Sequence, residues 1–153
     1  MVDKFVKFGS TRDKLGPAPI RPSWILEGNP VARNRFLTKS ADGAASTYIW
    51  DCTAGRFKWH YDIDETVTVV EGSVVVKDQN GDSHKLVAGD TAFFPAGCRA
   101  EWTVENYIRK VAILRVPMPK TLLIAKRVYH AFKRFFGGGN KANDAAPAMF
   151  QSN

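Results

Sequence analysis

The sequence predicts an all-β fold, an antiparallel sandwich or barrel, with an extended N-terminal arm and a C-terminal amphipathic helix. Three observations lead to this prediction. Residues 16–30 carry four prolines, which fix φ and lack an N–H donor. Residues 35–116 contain short β-branched and aromatic runs separated by turn residues every 8–12 positions or so, as antiparallel all-β domains do. Residues 120–136 repeat apolar side chains at helical spacing opposite a basic face.

Length and composition indicate one globular domain. The chain has 153 residues, 44% of them hydrophobic, and a formal net charge of +7; this balance excludes disorder of the whole chain. Two cysteines, Cys52 and Cys98, are too few for a disulfide scaffold. No apolar run approaches the roughly 18 residues of a spanning helix, and the first residues do not resemble a secretion signal. We therefore expect a cytoplasmic protein with reduced thiols.

The N-terminal arm is assigned to residues 1–34. Its prolines argue against a regular helix or a central strand, so we expect it to wrap the barrel as an extended segment. Trp24, Ile25 and Leu26 are its predicted anchors.

The barrel is assigned to residues 35–118. Its clearest turn is Asn80-Gly81, because a two-residue hairpin turn needs positive φ at both central positions; we place it between strands 73–78 and 82–87. Alternation then assigns the faces of the remaining strands. The following side chains are predicted to point inward: Phe57, Trp59, Tyr61, Val67, Val69, Ala100, Trp102 and Val104. One charged residue, Glu65, shares the inner face with Val67 and Val69.

A basic amphipathic helix is expected over residues 119–137. Pro119 suits its first turn, and three glycines at 137–139 end it. The small, polar residues 138–153 are expected to be a disordered tail. The apolar stripe of the helix is expected to dock on the barrel or on a second subunit, or alternatively to contact a membrane surface or another protein.

The glycine and proline framework resembles the two motifs of the cupin superfamily. Gly55, Glu65 and Gly72 resemble the glycines and glutamate of the first motif, G-x5-HxH-x3,4-E-x6-G, and residues 89–97 resemble the start of the second, G-x5-PxG-x2-H-x3-N. The residues around 55–65 and 95–102 look more narrowly like the ureidoglycine aminohydrolase-type, EutQ-like cupin domain. The resemblance implies a single cupin jelly-roll β-barrel.

In metal-binding cupins these motifs supply three histidines and a glutamate, a mixed shell suited to Mn, Fe, Ni or Zn. Carried over by position, only the glutamate is retained, as Glu65. Trp59, Tyr61 and Ala100 replace the three histidines, and Val104 replaces the closing asparagine. No metal site and no cofactor are therefore expected, although weak binding of a divalent Mn, Fe, Ni or Zn ion stays open. Choosing His60 as a ligand instead would turn the basic face of its strand inward.

The predicted site is an aromatic-walled cavity. Glu65 is the candidate general acid or base and Tyr61 the candidate donor; the predicted substrate-binding residues are Trp59, Trp102, Ala100 and Phe57. Aromatic walls with few polar groups are typical of small-molecule sites. In a purely structural alternative the indoles fill the barrel, and Glu65 pairs with Tyr61 or an inward arginine. Cys98, next to Gly97, is a weaker candidate for a reactive thiol.

The sequence agrees with two functions. The first is a cupin that binds or transforms a small polar metabolite, such as a ureido or amino compound, through hydrolase, aminohydrolase-like or isomerase-like chemistry. The second is a non-catalytic dimeric module whose basic helix contacts a partner or a membrane. A homodimer is expected in both cases. No nucleic acid is expected, because no recognition motif is visible and residues 40–118 hold eleven acidic against eight basic side chains.

Overall fold

A computed structural model describes residues 8–136. This part of the chain forms eight β-strands and one α-helix, with a short 3-10 turn at Pro22–Trp24. The elements in chain order are β1 (Gly16–Pro17), β2 (Ile25–Gly28), β3 (Ala32–Lys39), β4 (Ala45–His60), β5 (Asp64–Asp78), β6 (Ser83–Val87), β7 (Thr91–Phe94), β8 (Arg99–Arg115) and α1 (Lys120–Phe136). The predicted all-β fold with a C-terminal helix is confirmed.

Three long strands, β4, β5 and β8, each run through two layers of the barrel. In the first layer, the first half of β4 pairs with β3 and with the second half of β8, which in turn pairs with the first half of β5. In the second layer, the second half of β4 pairs with β2 and with the first half of β8, which pairs with the second half of β5. Strand β1 borders β3, β7 borders the first half of β5, and β6 borders its second half. All pairs are antiparallel.

Irregularities in strand register mark the bends between the layers. One lies between Thr53 and Gly55 in β4, and another follows Gly72 in β5. Gly72 has a φ of 73°, and a Cβ on it would collide with the backbone carbonyl of Tyr107. The close approach of two backbones at this bend therefore requires glycine.

The core lies between the two layers and confirms the predicted strand faces. Val67, Val69 and Glu65 are buried along β5, and Ala100, Trp102 and Val104 along β8. In β4 and β5 the inward face changes parity across the bend, as a bulge requires, whereas in β8 it stays on even-numbered positions. In β4 it passes from even-numbered to odd-numbered positions; this face carries Tyr48, Trp50 and Cys52 before the bend and Phe57 and Trp59 after it.

The described part of the N-terminal arm is extended, as predicted, and forms the short strands β1 and β2 and the start of β3. The predicted anchors are partly correct: Trp24 and Ile25 pack against the core, whereas Leu26 is 37% exposed. Within residues 8–34 the buried positions are Leu15, Ile20, Pro30 and Ala32. Leu26 follows Ile25 directly in a strand, so its side chain points to the opposite face, away from the core.

The hairpin predicted at Asn80-Gly81 is present, but its turn differs from the predicted one. Residues 73–77 pair with 83–87 in register. The N–H of Gly81 donates to the Asp78 carbonyl at 3.1 Å, so Gln79 and Asn80 are the central residues of the turn, and Gly81 follows them with a φ of 95°. The Asp78 carboxylate accepts hydrogen bonds from the backbone N–H groups of Asn80 and Asp82 at 2.8 and 3.0 Å.

The paired region starts earlier than the predicted barrel boundary at residue 35. Strand β3 begins at Ala32 and pairs with β4 in one register from Ala32 to Phe36.

The helix α1 spans Lys120–Phe136 and belongs to a compact unit separate from the unit that ends at Pro117. The backbone carbonyl of Pro119 accepts hydrogen bonds from the N–H groups of Leu122 and Leu123, in agreement with the predicted start of the helix. None of the helices within residues 8–136 is sufficiently long and apolar to span a bilayer. The predicted helix stop at 137–139 and the predicted tail at 138–153 lie outside the described residues.

Candidate functional site

A cavity of about 320 Å³ lies on the inner face of the first layer. Strands β3, β4, β5 and β8 and the arm all contribute to its lining. Its residues are Ala18, Pro19, Asn34, Tyr48, Trp50, Trp59, Glu65, Lys110, Ala112 and Leu114. The size is that of a small-molecule site, and the walls are aromatic with few polar groups.

The chemically distinctive feature of the cavity is a buried ion pair. The ammonium nitrogen Nζ of Lys110 donates to Oε1 of Glu65 at 2.6 Å, and both side chains are less than 10% exposed. The same ammonium lies 4.9 Å from the ring centre of Trp50 and 4.7 Å from that of Trp102. Lysine and glutamate are almost never buried unless paired, and the two indole faces add cation–π attraction to the pair.

The strand register explains how these residues meet. Lys110 on β8 is directly opposite Trp50 on β4 and Val69 on β5. Glu65 lies four residues before Val69 on the same face, within reach of a long lysine side chain. Three neighbouring strands thus place an indole, an ammonium and a carboxylate side by side in the cavity wall.

A stacked aromatic group lies behind this wall. The indole Nε1 of Trp102 donates to the Tyr61 hydroxyl at 3.0 Å, and the Tyr61 ring stacks on Phe94 at 4.5 Å. Burial, and then the charge of Glu65, raises the pKa of the Tyr61 phenol well above its ordinary value. Tyr61 is therefore a neutral phenol that fixes the orientation of Trp102 beneath the Lys110 ammonium.

Two of the six predicted site residues, Glu65 and Trp59, line the cavity. Tyr61 and Trp102 are in the aromatic group behind it, and the ring centre of Phe57 lies 6.2 Å from that of Trp102. Ala100 is buried and lines a different space, a cavity of about 450 Å³ bounded by β5, β6, β7 and β8. Phe57 and Ala100 therefore do not line the Glu65 cavity, although Trp59 on the same face does.

The sequence interpretation missed Lys110, Trp50, Tyr48 and Asn34. Lys110 carries a usable signal: after the exposed Asn106, the inward parity of Ala100, Trp102 and Val104 resumes at Ile108 and Lys110 along β8. The inward positions predicted from the sequence end at Val104 and so do not include Lys110. The structural alternative expected Glu65 to pair with Tyr61 or an arginine, whereas its partner is Lys110.

The minor candidates lie outside the cavity lining. His60 is on the outer face of β4, as predicted, and stacks on Trp24 at 4.8 Å. Cys98 is partly buried, and burial raises the pKa of its thiol, which disfavours a reactive thiolate. Cys52 is fully buried, and burial raises the pKa of its thiol to about 12.

The cavity does not fit the metal that the family motif implies. Of the four motif positions only Glu65 offers a usual metal ligand, and its Oε1 is bound to a fixed cation, the Lys110 ammonium. Among residues 8–136 no three His, Cys, Asp or Glu side chains are grouped so that they could hold an ion. A lysine ammonium against the same carboxylate repels a metal ion by charge and occupies its ligand.

Comparison with known proteins agrees with the fold and the motifs. Residues 39–112, a little under half of the chain, match the sequence profile of the EutQ-like cupin domain. The fold is therefore that of a cupin barrel, and this region of the chain is similar to the EutQ-like cupin domain. No curated protein matches the chain significantly.

Solved structures share this architecture. A DUF861-family protein of unknown function from Pseudomonas syringae pv. tomato is 28% identical and superposes with a TM-score of 0.64 over 69% of this chain and 46% of its own. A putative ethanolamine utilization protein EutQ from Salmonella typhimurium is 17% identical, with a TM-score of 0.51 over 70% of this chain and 98% of its own. The present chain thus spans about half the length of the Pseudomonas protein.

Proposed function

We propose that the cavity binds a small polar metabolite with a planar amide or ureido group, and that the Lys110–Glu65 pair transfers a proton during its conversion. The observation that carries this proposal is the ion pair of 2.6 Å in the cavity wall. The class of reaction is hydrolase, aminohydrolase-like or isomerase-like, and it proceeds without a bound metal.

The chemistry of the pair matches such a ligand. An ammonium has three donors, and one of those of Lys110 is used by Glu65; the others are available to a ligand carbonyl oxygen. The second carboxylate oxygen of Glu65 accepts from a ligand N–H. A ureido group presents a carbonyl oxygen and N–H groups in one plane, and Trp50, Trp59 and Tyr48 offer ring faces and edges to that plane.

Proton transfer needs a donor and an acceptor in direct contact. Glu65 is the proposed acid or base, and Lys110 is the proposed group that stabilises negative charge on the ligand oxygen. Tyr61 contacts Trp102 rather than the cavity, so its proposed role is to position that indole.

Calorimetric titration with N-carbamoylglycine, in buffer containing a chelator, tests the binding step. Wild type is expected to bind, and Glu65→Gln is expected to bind at least about tenfold more weakly because an amide lacks the charge that holds Lys110 in place. Glu71→Gln is the matched control, since Glu71 is exposed on the same strand. Product formation by wild type but not by Glu65→Gln, followed by mass spectrometry, tests the proton transfer.

Three results contradict the proposal. These are equal affinity for acetate and for N-carbamoylglycine, equal weakening of binding in Glu65→Gln and Glu71→Gln, and binding that occurs only when the chelator is left out of the buffer. The last result would also overturn the conclusion that the site does not fit a metal.

A second function is proposed for α1. The 17-residue helix carries no acidic residue and presents five basic side chains opposite its apolar ones; these are Lys126, Arg127, His130, Lys133 and Arg134. A basic amphipathic helix is attracted to an anionic membrane surface, into which its apolar face inserts. We propose that α1 binds such a surface while the cupin domain remains in water.

Co-sedimentation with vesicles tests this second function. Wild type is expected to sediment with vesicles of mixed phosphatidylserine and phosphatidylcholine but not with pure phosphatidylcholine. Replacing Lys126 and Arg127 with glutamine is expected to abolish sedimentation, and the matched double variant Lys14→Gln/Lys39→Gln is expected to retain it. Equal sedimentation of both variants would rule out α1 as the contact, and gel filtration would then show whether the helix joins two copies of the chain.

A further inference from the structure

A second concave surface lies on the outer face of the second layer. It is a groove of about 570 Å³ and shares no lining residue with the Glu65 cavity. Its basic side chains come from three neighbouring strands: Lys58 and His60 from β4, Arg99 from β8 and Lys77 from β5. Trp24 and Ser23 from the arm also line it. We call this surface, defined by Lys58, His60, Lys77 and Arg99, the basic groove.

The strand register fixes the spacing of the charges in the basic groove. Lys58 and Lys77 lie on either side of Glu101 in one row across the sheet, about 10 Å apart at two strand spacings. Arg99 lies two residues before Glu101, so it stands about 7 Å along β8 from that row. The three cations thus form a triangle across which flexible side chains can converge on one ligand.

The acidic residues of the basic groove do not neutralise these cations. Glu101 is paired with Arg56, whose Nη1 donates to it at 2.9 Å. Asp78 accepts from its own hairpin and lies 3.6 Å from His84. Within the described part of the chain, Lys58, Lys77 and Arg99 make no ion pair. The groove lining thus holds three cations against two carboxylates, one of which is paired with Arg56, so its net charge is positive.

We propose that the basic groove binds a chain of linked phosphates. The backbone positions of Lys58 and Lys77 are about 10 Å apart, which leaves room for several oxyanions in a row. A triphosphate offers such a row to two lysines and one arginine, whereas a single phosphate does not. Two sources share this chemistry, an inorganic polyphosphate and the triphosphate of a nucleotide. Trp24, which stacks on His60 and has the Arg21 guanidinium 5.0 Å from its ring centre, adds an aromatic end to the groove.

Calorimetric titration of the full chain with inorganic tripolyphosphate, at low ionic strength and without divalent cations, tests this proposal. Wild type is expected to bind it at least about tenfold more tightly than orthophosphate. Lys58→Gln/Lys77→Gln is expected to lose at least about tenfold in affinity, since each charge-assisted contact is a strong one. The control Lys14→Gln/Lys39→Gln removes the same charge outside the groove and is expected to bind as wild type does.

A second arm distinguishes the two sources. Adenosine triphosphate that binds more tightly than tripolyphosphate, with the difference lost in Trp24→Ala, identifies a nucleotide ligand; equal affinities identify inorganic polyphosphate. The proposal is overturned by equal binding of orthophosphate and tripolyphosphate, by equal losses in the two double variants, or by an absence of binding at low ionic strength. The Glu65→Gln variant is expected to bind tripolyphosphate normally, so this test is independent of the proposed cavity function.

Discussion

Lys110 and Glu65 depend on each other because each removes the cost of burying the other's charge. A buried ion pair stabilises a fold weakly in net terms, yet removal of one partner leaves an uncompensated charge that is costly. The pair is therefore better explained by what it does in the cavity than by stability, since two apolar side chains would fill the same space. The indole contacts of Lys110 fix its position further.

This dependence gives a stability prediction. Lys110→Met is expected to destabilise the protein by about 3–5 kcal/mol, and the double variant Lys110→Met/Glu65→Leu by much less, because no charge is then left buried. Urea unfolding followed by circular dichroism measures both. Glu27→Gln, at an exposed ion pair with Arg56, is the control and is expected to cost less than about 1 kcal/mol. A double variant that is at least as unstable as Lys110→Met would show that the two charges are not coupled.

The buried Tyr61 and Cys52 predict a loss of stability in alkali. Burial raises the pKa of both groups in the folded chain, that of Cys52 to about 12, so the unfolded chain releases its protons at lower pH. Their contribution to the free energy of unfolding is fully present below the pKa values of the unfolded chain, near pH 9 for the thiol and pH 10 for the phenol. It is lost as the pH rises further. Each group is expected to contribute a slope of about 1.4 kcal/mol per pH unit in its window.

Urea unfolding at a series of alkaline pH values measures these slopes. Tyr61→Phe is expected to lower stability at neutral pH, because Trp102 loses its acceptor, but to flatten the decline above pH 10. A variant curve parallel to that of wild type at every pH would contradict the assignment to Tyr61.

Single residues also show how much of the candidate site could be predicted from the sequence. Glu65 was found because a carboxylate in an apolar row breaks a clear alternation. Lys110 has the same signal, but alternation alone does not exclude that a lysine near the end of a predicted strand is exposed to solvent. Phe57 and Ala100 are predicted beside Glu65 because parity identifies the inward face of a strand, and it does not indicate which cavity a residue on that face lines.

At the scale of elements, the bends in the long strands reverse the parity of the inward face in β4 and β5. The hairpin at Asn80-Gly81 was predictable because few residues other than glycine adopt a positive φ readily. Gly72 gives the same local signal, yet β5 continues through it and pairs with β8 on both sides, where the backbone approaches Tyr107. Local signals therefore indicate where a strand is interrupted, and tertiary contacts decide whether the interruption is a turn or a bend.

The two glycines give a matched pair of variants. Gly72→Ala is expected to cost about 3 kcal/mol or more, because it adds a backbone collision to the penalty of positive φ. Gly81→Ala meets open space and is expected to cost only the conformational penalty of about 1–2 kcal/mol. Urea unfolding compares the two, and equal losses would show that the Tyr107 contact yields at little cost.

At the scale of the whole molecule, the main buried core comes from residues 20–112, within the unit that ends at Pro117. This agrees with the sequence, in which the cupin motifs, the clear alternation and the aromatic residues of the core all precede the helix. The jelly-roll fold was therefore predictable from motif and pattern together. The functional surfaces were less so, because the cavity and the basic groove each combine side chains from strands far apart in sequence.

The continuity of β4, β5 and β8 through both layers has a further consequence for how the barrel opens. Neither layer has strands of its own in its centre, so amide groups in one layer cannot become exposed without disturbing the hydrogen bonds of the other. The two layers are thus expected to form a single cooperative unit in hydrogen exchange. A ligand held by Lys110 in the first layer would then slow the exchange of amides around Val76 and Trp102 in the second.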